Sequence, residues 1–220
     1  VAFSVDVDGK PIYTSGMSAD DKYAAAKTAA LGFFQAAGYT VENGKITAAP
    51  EGAKMQYEVQ IPADGTGNHP SFMMVTEAKK ALAEIGMDIV VTDLSDTTAL
   101  WDGIRARQAE MWCAAWGATV DPDMYQVYHS ASVKSNYYHI NDETLDQDII
   151  DARSTADQEY RKSVYKQCLD IILDWAVEIP IYQRQNCVIY SPERINADTF
   201  TKDVTTFYSW YNDITNIEMN

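Results

Sequence analysis

The residues most often used in catalysis are few and scattered in this sequence. The three histidines, His69, His129 and His139, belong to no HxxxH or HExxH pattern, and no GxSxG pattern is present. His69 directly precedes Pro70, a position at which its side chain can cap a helix. The acidic residues are numerous, but their spacing does not identify the carboxylate pair of a glycosidase. We therefore predict no enzyme, no cofactor and no metal site, and a hydrolase is the weakest functional hypothesis.

The three cysteines give no sign of a metal centre or a disulfide framework. Cys113, Cys168 and Cys187 lack metal-ligand spacing and are odd in number, so they do not identify a redox compartment. Cys113 lies in an apolar run without the neighbouring positive charge that lowers a thiol pKa. We expect it to be a small core residue.

The segment that most resembles a binding element covers residues 112–122, which read WCAAWGATVDP. Trp116 has a large apolar face and one N–H donor. Gly117 and Ala118 are small enough to let another backbone approach closely. The segment follows an apolar run that we predict as a strand, and ligands of open α/β sheets bind at the carboxyl ends of strands. A core tryptophan followed by a plain turn is the alternative interpretation.

The elements that would position this segment alternate between strand and helix. Capping residues, apolar periodicity and Gly stops predict, in chain order, a helix at 18–37 ending before Gly38, a strand at 55–61, a helix from Pro70 to Gly86, a strand at 87–92, a helix carrying Leu100, Trp101 and Ile104, and a strand at 111–116. Such alternation produces crossover units. We therefore predict an α/β fold with a parallel sheet flanked by helices.

The second half of the chain is predicted to be more helical. A short helix is expected at 145–153, and the capping-box pattern at Thr155 is expected to open a long helix. One face of that helix is predicted to carry Val164, Cys168, Ile171 and Trp175. An extended run is predicted at 179–190, with a proline near its start, where no ladder donor is needed. The pattern after Phe200 predicts no particular element.

Composition excludes several partners. Among 220 residues, 32 are acidic and 17 are basic, for a formal net charge of −15, which disfavours nucleic acid and anionic membrane surfaces. No apolar run approaches the ~18 residues that span a bilayer, and the first residues have no signal-peptide pattern. Because the chain begins with Val1 and in mid-pattern, we expect it to be a piece of a larger protein.

Five motifs carry a resemblance to a known family. They are, in chain order, Ala36-Ala-Gly-Tyr39, Ala81-Leu-Ala-Glu-Ile-Gly-Met-Asp-Ile-Val90, Trp116-Gly-Ala-x-x-Asp-Pro, Asn136-Tyr-Tyr and Ile179-Pro-Ile-Tyr182. Over residues 20–189 the chain resembles the C-terminal lobe of the extracytoplasmic solute-binding proteins of peptide and nickel ABC importers. The resemblance implies the type II periplasmic-binding-protein architecture. It also implies that residues 1–220 are one lobe of a two-lobed protein whose N-terminal lobe and signal sequence lie elsewhere.

The resemblance implies a function and a set of binding residues. A protein of this kind captures an oligopeptide outside the membrane by hinge closure and delivers it to an ABC permease. It would be periplasmic or anchored by lipid at the cell surface. The residues implied to line the cleft are Trp116, Gly117, Ala118, Thr119, Asp121, Asn68, His69, Asn136 and Tyr137.

Two departures from the family pattern bear on the ligand. Peptide-binding relatives often place an Asp in the turn where this chain has Thr119, which supplies no charge. Asp121 can substitute for it, although an Asp-Pro pair is also a common turn former. The loop Thr66-Gly-Asn-His lacks the Arg with which dipeptide-binding relatives hold the ligand carboxylate. A ligand longer than a dipeptide, or less dependent on charge, is therefore favoured.

The sequence leaves other ligands and roles open. The Trp-Gly-Ala motif also resembles the sequence of the nickel-type members, so a metal chelate is the second candidate ligand. His129 and His139 do not fall in a spacing that identifies a metal ligand. A signalling or adhesive module would instead meet another protein through a large exposed apolar patch.

Overall fold

The computed structural model describes residues 4–117 and 119–220. It divides the chain into two compact units, unit 1 (Val1–Ala115) and unit 2 (Trp116–Asn220). Within residues 4–117 and 119–220, every helix is too short or too polar to span a lipid bilayer.

Unit 1 contains the alternating elements that the sequence predicts. Its elements are α1 (Ala19–Ala36), β1 (Thr40–Glu42), β2 (Lys45–Ala48), β3 (Gln56–Ile61), α2 (Pro70–Glu84), β4 (Asp88–Asp93), α3 (Thr97–Arg105) and β5 (Met111–Trp112). The predicted caps are confirmed, since Ser18 accepts a hydrogen bond at the start of α1 and Gly38 follows its end with a φ of +92°.

A parallel sheet lies at the centre of unit 1, as predicted. The strand order is β4-β3-β5, and both pairings of β3 are parallel. Val59 and Ile61 of β3, with Ile89 of β4 and Val75 of α2, form a buried apolar cluster. This cluster fixes the register, because alternate residues of a strand point to the same face.

The third strand is shorter than predicted. Pairing of β5 covers Met111 and Trp112, and one further hydrogen bond joins the Cys113 N–H to the Gln60 carbonyl at 2.9 Å. The next two residues are exposed alanines, which bury little area on a sheet and are depleted in strands. The prediction of a strand reaching Trp116 was therefore wrong.

The strands β1 and β2 form an antiparallel hairpin. Asn43 and Gly44 both have positive φ, +51° and +74°, as the two central residues of a type I′ turn require. The hairpin is attached to the end of α2 by a 2.7 Å hydrogen bond from the Ile46 N–H to the Ile85 carbonyl.

Unit 2 is built around two helices. Its elements are α4 (Tyr125–Tyr128), α5 (Glu143–Arg153), α6 (Gln158–Trp175) and two 3₁₀ segments, Ala197–Thr199 and Trp210–Asn216. The apolar core between α5 and α6 is formed by Ile140, Leu145, Ile149, Ala152, Val164, Tyr165, Cys168 and Ile172. Burial raises the pKa of the Cys168 thiol to about 11, as expected for a core residue.

Two details of α6 differ from the prediction. Its N-cap is Asp157, whose carboxylate accepts hydrogen bonds from the two backbone N–H groups of Glu159 and Tyr160, at 3.0 and 3.2 Å. Thr155 lies two residues too early, because its hydroxyl accepts a hydrogen bond from the Asp157 N–H outside the helix. The buried face ends at Ile172, and Trp175 is 41% exposed.

The run predicted to be extended at 179–190 forms no strand. Among the described residues of unit 2 there is no strand with which it could pair, and a strand requires a partner for its backbone groups. Its large apolar side chains are exposed, including Ile179 at 66% and Ile189 at 93%.

Candidate functional site

Trp116 is the first residue of unit 2, and its ring is held by two consecutive tyrosines. The indole stacks on Tyr137 with ring centroids 6.0 Å apart and an angle of 15° between the planes. Its Nε1–H donates a 2.9 Å hydrogen bond to the Tyr138 hydroxyl. The side chain nevertheless remains 42% exposed. Trp116 is therefore not the sealed core tryptophan of the alternative interpretation, and it presents an oriented apolar surface.

A second stacked pair continues from this indole. Tyr128 lies 5.7 Å from Tyr138, at an angle of 12° between the rings. The Tyr128 hydroxyl donates a 2.7 Å hydrogen bond to the Glu178 carboxylate. Trp116, Tyr128, Tyr137 and Tyr138 together are called the aromatic cluster below.

The hydroxyls of Tyr128 and Tyr138 stay protonated over the physiological pH range. Burial raises the pKa of Tyr138 to about 12, with a further increase from Glu178 and an opposing effect of the Trp116 hydrogen bond. Burial, followed by the hydrogen bond to Glu178, raises the pKa of Tyr128 far above its ordinary value. Both phenols therefore keep the proton that each can donate in a hydrogen bond.

Asn136 supports the loop that carries the two tyrosines. It is 4% exposed, and its amide nitrogen donates a 2.9 Å hydrogen bond to the Ile140 carbonyl. A longer bond of 3.4 Å reaches the His129 carbonyl. The sequence analysis expected Asn136 to line the cleft. In this structure its side chain is instead buried, because its amide satisfies the carbonyls of its own loop.

The turn after Trp116 is attached to both long helices by arginines. Arg161 of α6 lies 2.6 Å from the Asp121 carboxylate, and Arg153 of α5 lies 3.1 Å from that of Asp123. Asp121 is therefore already paired with a cation. The Thr119 hydroxyl donates to the Asp121 carbonyl, so the side chains of both candidate polar anchors already have partners.

The small residues of the turn were predicted to permit close approach. A Cβ built on Gly117 would have no atom within 4 Å, so the packing described here does not require a glycine there. Space therefore exists beside this backbone. Ala118 lies outside the described residues.

Asn68 and His69 belong to unit 1. His69 caps α2, since its Nδ1 accepts a 3.2 Å hydrogen bond from the Ser71 N–H, as the sequence allowed. Asn68 is exposed, and its backbone N–H donates to the Thr66 hydroxyl at 3.3 Å. Among the nine predicted binding residues, the rings of Trp116 and Tyr137 are in direct contact in the structure. Asn136 directly precedes Tyr137 in the chain.

Three residues of this region were absent from the predicted site. Tyr128 and Tyr138 lie in a stretch that the sequence marks only as rich in tyrosine, and Glu178 follows α6 without any motif. The signal that could have identified Tyr138 is the pair of tyrosines after Asn136. Nothing in the sequence places Glu178 beside them, because that contact joins positions 50 residues apart.

One group of side chains has the residue types of a serine hydrolase but not the geometry. The Ser130 hydroxyl donates to the Asp146 carboxylate. The His129 Nδ1 accepts a 3.0 Å hydrogen bond from the Ala131 N–H and lies 3.5 Å from Asp146. A nucleophile must instead be hydrogen-bonded to its base.

Over residues 4–117 and 119–220, no group of three or more His, Cys, Asp or Glu side chains could hold a metal ion.

Comparison with known proteins identifies the fold. No family model matches the chain, and no curated protein matches it. The oligopeptide-binding protein AppA from Bacillus subtilis, solved with a nonapeptide, superposes with a TM-score of 0.56 at 18% identity, over 80% of this chain and 35% of that one. NikA from Brucella suis, solved with Fe(III)-EDTA, gives a TM-score of 0.53 at 21% identity, over 80% of this chain and 35% of that chain.

A third similar structure is NikZ from Campylobacter jejuni in complex with Ni(L-His), with a TM-score of 0.51, 19% identity, and coverage of 70% of this chain and 30% of that chain. The expected resemblance to peptide- and nickel-type ABC solute-binding proteins is thus confirmed for the fold. This chain spans 35% of the length of AppA and of NikA.

Proposed function

We propose that this chain is the C-terminal lobe of the solute-binding component of an ABC importer. The complete protein captures oligopeptides outside the membrane, between two lobes, and delivers them to a membrane permease. It is not an enzyme, and it resides in the periplasm or at the cell surface on a lipid anchor. The fold shared with AppA, NikA and NikZ supports this role, since those structures hold a nonapeptide, Fe(III)-EDTA and Ni(L-His).

The observation that carries the proposal is the exposed stack of Trp116 on Tyr137. The indole is oriented by the stack and by its hydrogen bond to Tyr138, yet 42% of it is exposed. An aromatic wall that is already ordered loses little conformational entropy when a ligand packs on it. Ligand pockets are lined mainly by such apolar faces, with a few polar groups that fix orientation.

An oligopeptide fits this surface better than a dipeptide. Asp121 is paired with Arg161 at 2.6 Å, so its charge is already compensated, and residues 66–69 supply no arginine for a ligand carboxylate. Recognition then relies on the ligand backbone and on apolar contacts, which accumulate with peptide length.

A metal chelate is the second candidate ligand, because NikA and NikZ were solved with chelated metals. A chelate can be recognised through its organic part, without protein ligands to the metal. The two candidates are separated by calorimetric titration of the complete protein with a pool of tetrapeptides to octapeptides and, separately, with nickel–histidine. We expect saturable heat from the peptides. If only the nickel chelate gave saturable heat, the ligand would be a metal chelate and not a peptide.

The role of Trp116 is tested by the Trp116→Ala variant. Loss of the indole is expected to weaken peptide binding by about 1–3 kcal/mol, the cost of truncating an aromatic contact in an interface. Trp175→Ala is a matched control, because Trp175 belongs to the same unit and is 41% exposed. The control variant should bind peptide like the wild type. Unchanged affinity of a folded Trp116→Ala variant would remove Trp116 from the site.

A further inference from the structure

Glu178 is a partly buried carboxylate that is hydrogen-bonded to a phenol. Its Oε2 accepts a 2.7 Å hydrogen bond from the Tyr128 hydroxyl. The carboxylate also lies near enough to Tyr138 to raise the pKa of that phenol. Throughout the described part of the chain, no Lys, Arg or His nitrogen lies within 4.0 Å of it.

This arrangement leaves both charge and hydrogen-bonding capacity unused. A carboxylate has about four acceptor positions on its two oxygens, and the Tyr128 hydroxyl occupies one of them. A carboxylate that is partly withdrawn from water is stabilised most by a cation that pairs with it. Two aspartates near the candidate site differ in this respect, because Asp121 and Asp123 are each paired with an arginine.

Aromatic faces lie next to this carboxylate. Tyr128, which donates to it, stacks on Tyr138, and the Tyr138 hydroxyl accepts a 2.9 Å hydrogen bond from the Trp116 Nε1–H. The indole stacks on Tyr137 and remains 42% exposed. Aromatic faces attract ammonium and guanidinium groups through the ring quadrupole, and Trp does so most strongly.

We propose that Glu178 and the aromatic cluster form a subsite for a positively charged group of the ligand, an alkylammonium or a guanidinium. The inference rests on the proposed function and adds to it a preference for cationic ligands. The positive group has two sources in a peptide, the amino terminus and a lysine or arginine side chain. Both offer the same chemistry to a carboxylate beside the aromatic cluster.

Three probes test the subsite by calorimetric titration of the complete protein. They are tetra-alanine with a free amino terminus, N-acetyl-tetra-alanine, and N-acetyl-tetra-alanine with lysine at its third position. We expect at least one cationic probe to bind about tenfold more tightly than the neutral probe, the effect of one charge-assisted contact. The free tetrapeptide identifies the amino terminus as the source, and the lysine probe identifies a side chain.

Glu178→Gln removes the charge and keeps an oxygen that accepts from Tyr128. We expect the variant to lose the preference, so that cationic and neutral probes bind within about twofold of each other, with the neutral probe unaffected. Glu193→Gln, at an exposed position of the same unit, removes the same charge and should retain the preference. Unfolding by urea, followed by circular dichroism, verifies that both variants are folded.

The outcomes separate this inference from the proposed function. Binding of all three peptides with equal affinity, or a preference that survives Glu178→Gln, would overturn the cationic subsite and leave peptide capture intact. A preference lost equally in Glu193→Gln would also overturn it, because net charge would then be the cause. Absence of binding by any peptide, with saturable binding of nickel–histidine, would overturn the peptide proposal together with the subsite.

Discussion

Units 1 and 2 are stabilised by different kinds of interaction. In unit 1, a parallel sheet and its helices share apolar clusters, and backbone hydrogen bonds join successive elements. In unit 2, one apolar core lies between α5 and α6, and much of the remaining chain is irregular. There the loops are held by side chains, such as the Tyr128–Glu178 hydrogen bond and the Arg161–Asp121 ion pair.

The difference indicates where binding residues can be accommodated. In helices and strands the backbone N–H and C=O groups are hydrogen-bonded to one another, and one face is buried. These elements therefore offer few exposed, oriented side chains. Irregular segments held by side-chain contacts can keep an aromatic ring both fixed and accessible, as Trp116 shows. The three predictions below test this contrast between a regular framework and a loop-rich unit with a small core.

The largest effect is expected in the core of unit 2. Ile149→Ala removes a fully buried side chain between α5 and α6 and should cost about 3 kcal/mol of unfolding free energy, since the site cannot collapse around the cavity. Ile61→Ala, in the sheet of unit 1, should cost a similar amount. Urea unfolding with hydrogen–deuterium exchange of peptides from each unit measures both effects separately.

The matched control is Ile189→Ala, because the same atoms are removed from a side chain that is 93% exposed. This variant should change the unfolding free energy by no more than about 0.5 kcal/mol. If it cost as much as Ile149→Ala, residues 179–190 would be packed in solution, and the description of unit 2 as a single small core with exposed loops would be wrong.

Much of unit 1 was predictable, because its signals are local. Alternation in β3, the stop at Gly38 and the proline that opens α2 each depend on residues within one element. The length of β5 was not predictable in this way. Whether Ala114 and Ala115 continue a strand depends on the area they bury against another element, which a local pattern does not reveal.

The candidate site in unit 2 was predictable only in part. Trp116 was singled out by its position after a predicted strand, Tyr137 was implied by a resemblance, and the two rings are observed to stack. Glu178 and Tyr128 were missed, since their contact depends on where the chain returns after α6. The burial of Asn136 was missed for a related reason. Its side-chain amide donates to a carbonyl outside the short Asn-Tyr-Tyr motif, so the motif alone does not reveal this contact.

The second prediction tests the close backbone contacts of unit 1. Gly86 has a φ of +90°, and a Cβ added there would collide with the backbone of Ile46 in β2. Gly86→Ala should therefore cost about 2 kcal/mol or more, through left-handed strain and displacement of the hairpin. Gly52→Ala is the control, because Gly52 has a φ of +83° and no atom within 4 Å of the added Cβ.

Gly52→Ala should cost about 1 kcal/mol, the strain alone. Thermal unfolding followed by circular dichroism compares the two variants with the wild type. Equal losses of stability would show that the hairpin does not pack closely on Gly86, and the tight framework assigned to unit 1 would then lose its main support.

The smallest effect concerns the cap that begins α5 in unit 2. The Asp142 carboxylate accepts hydrogen bonds from the Thr144 and Leu145 N–H groups, at 3.0 and 2.9 Å, and from the Trp175 indole at 3.2 Å. These bonds, led by the one from Leu145, lower the pKa of Asp142. Asp142→Ala should cost about 1 kcal/mol at pH 7, the usual cost of losing a cap.

The pH dependence follows from the sign of this shift. Because the folded pKa lies below the unfolded one, the stabilisation by the charge is complete above the unfolded value of about 3.9 and is lost as pH falls through the folded value. Asp142→Asn keeps a neutral cap, so its deficit against the wild type should shrink as urea unfolding is repeated from pH 7 down to pH 2. A deficit that stayed constant over this range would mean that the carboxylate is ionised equally in both states, and that side-chain contacts hold unit 2 less than its structure indicates.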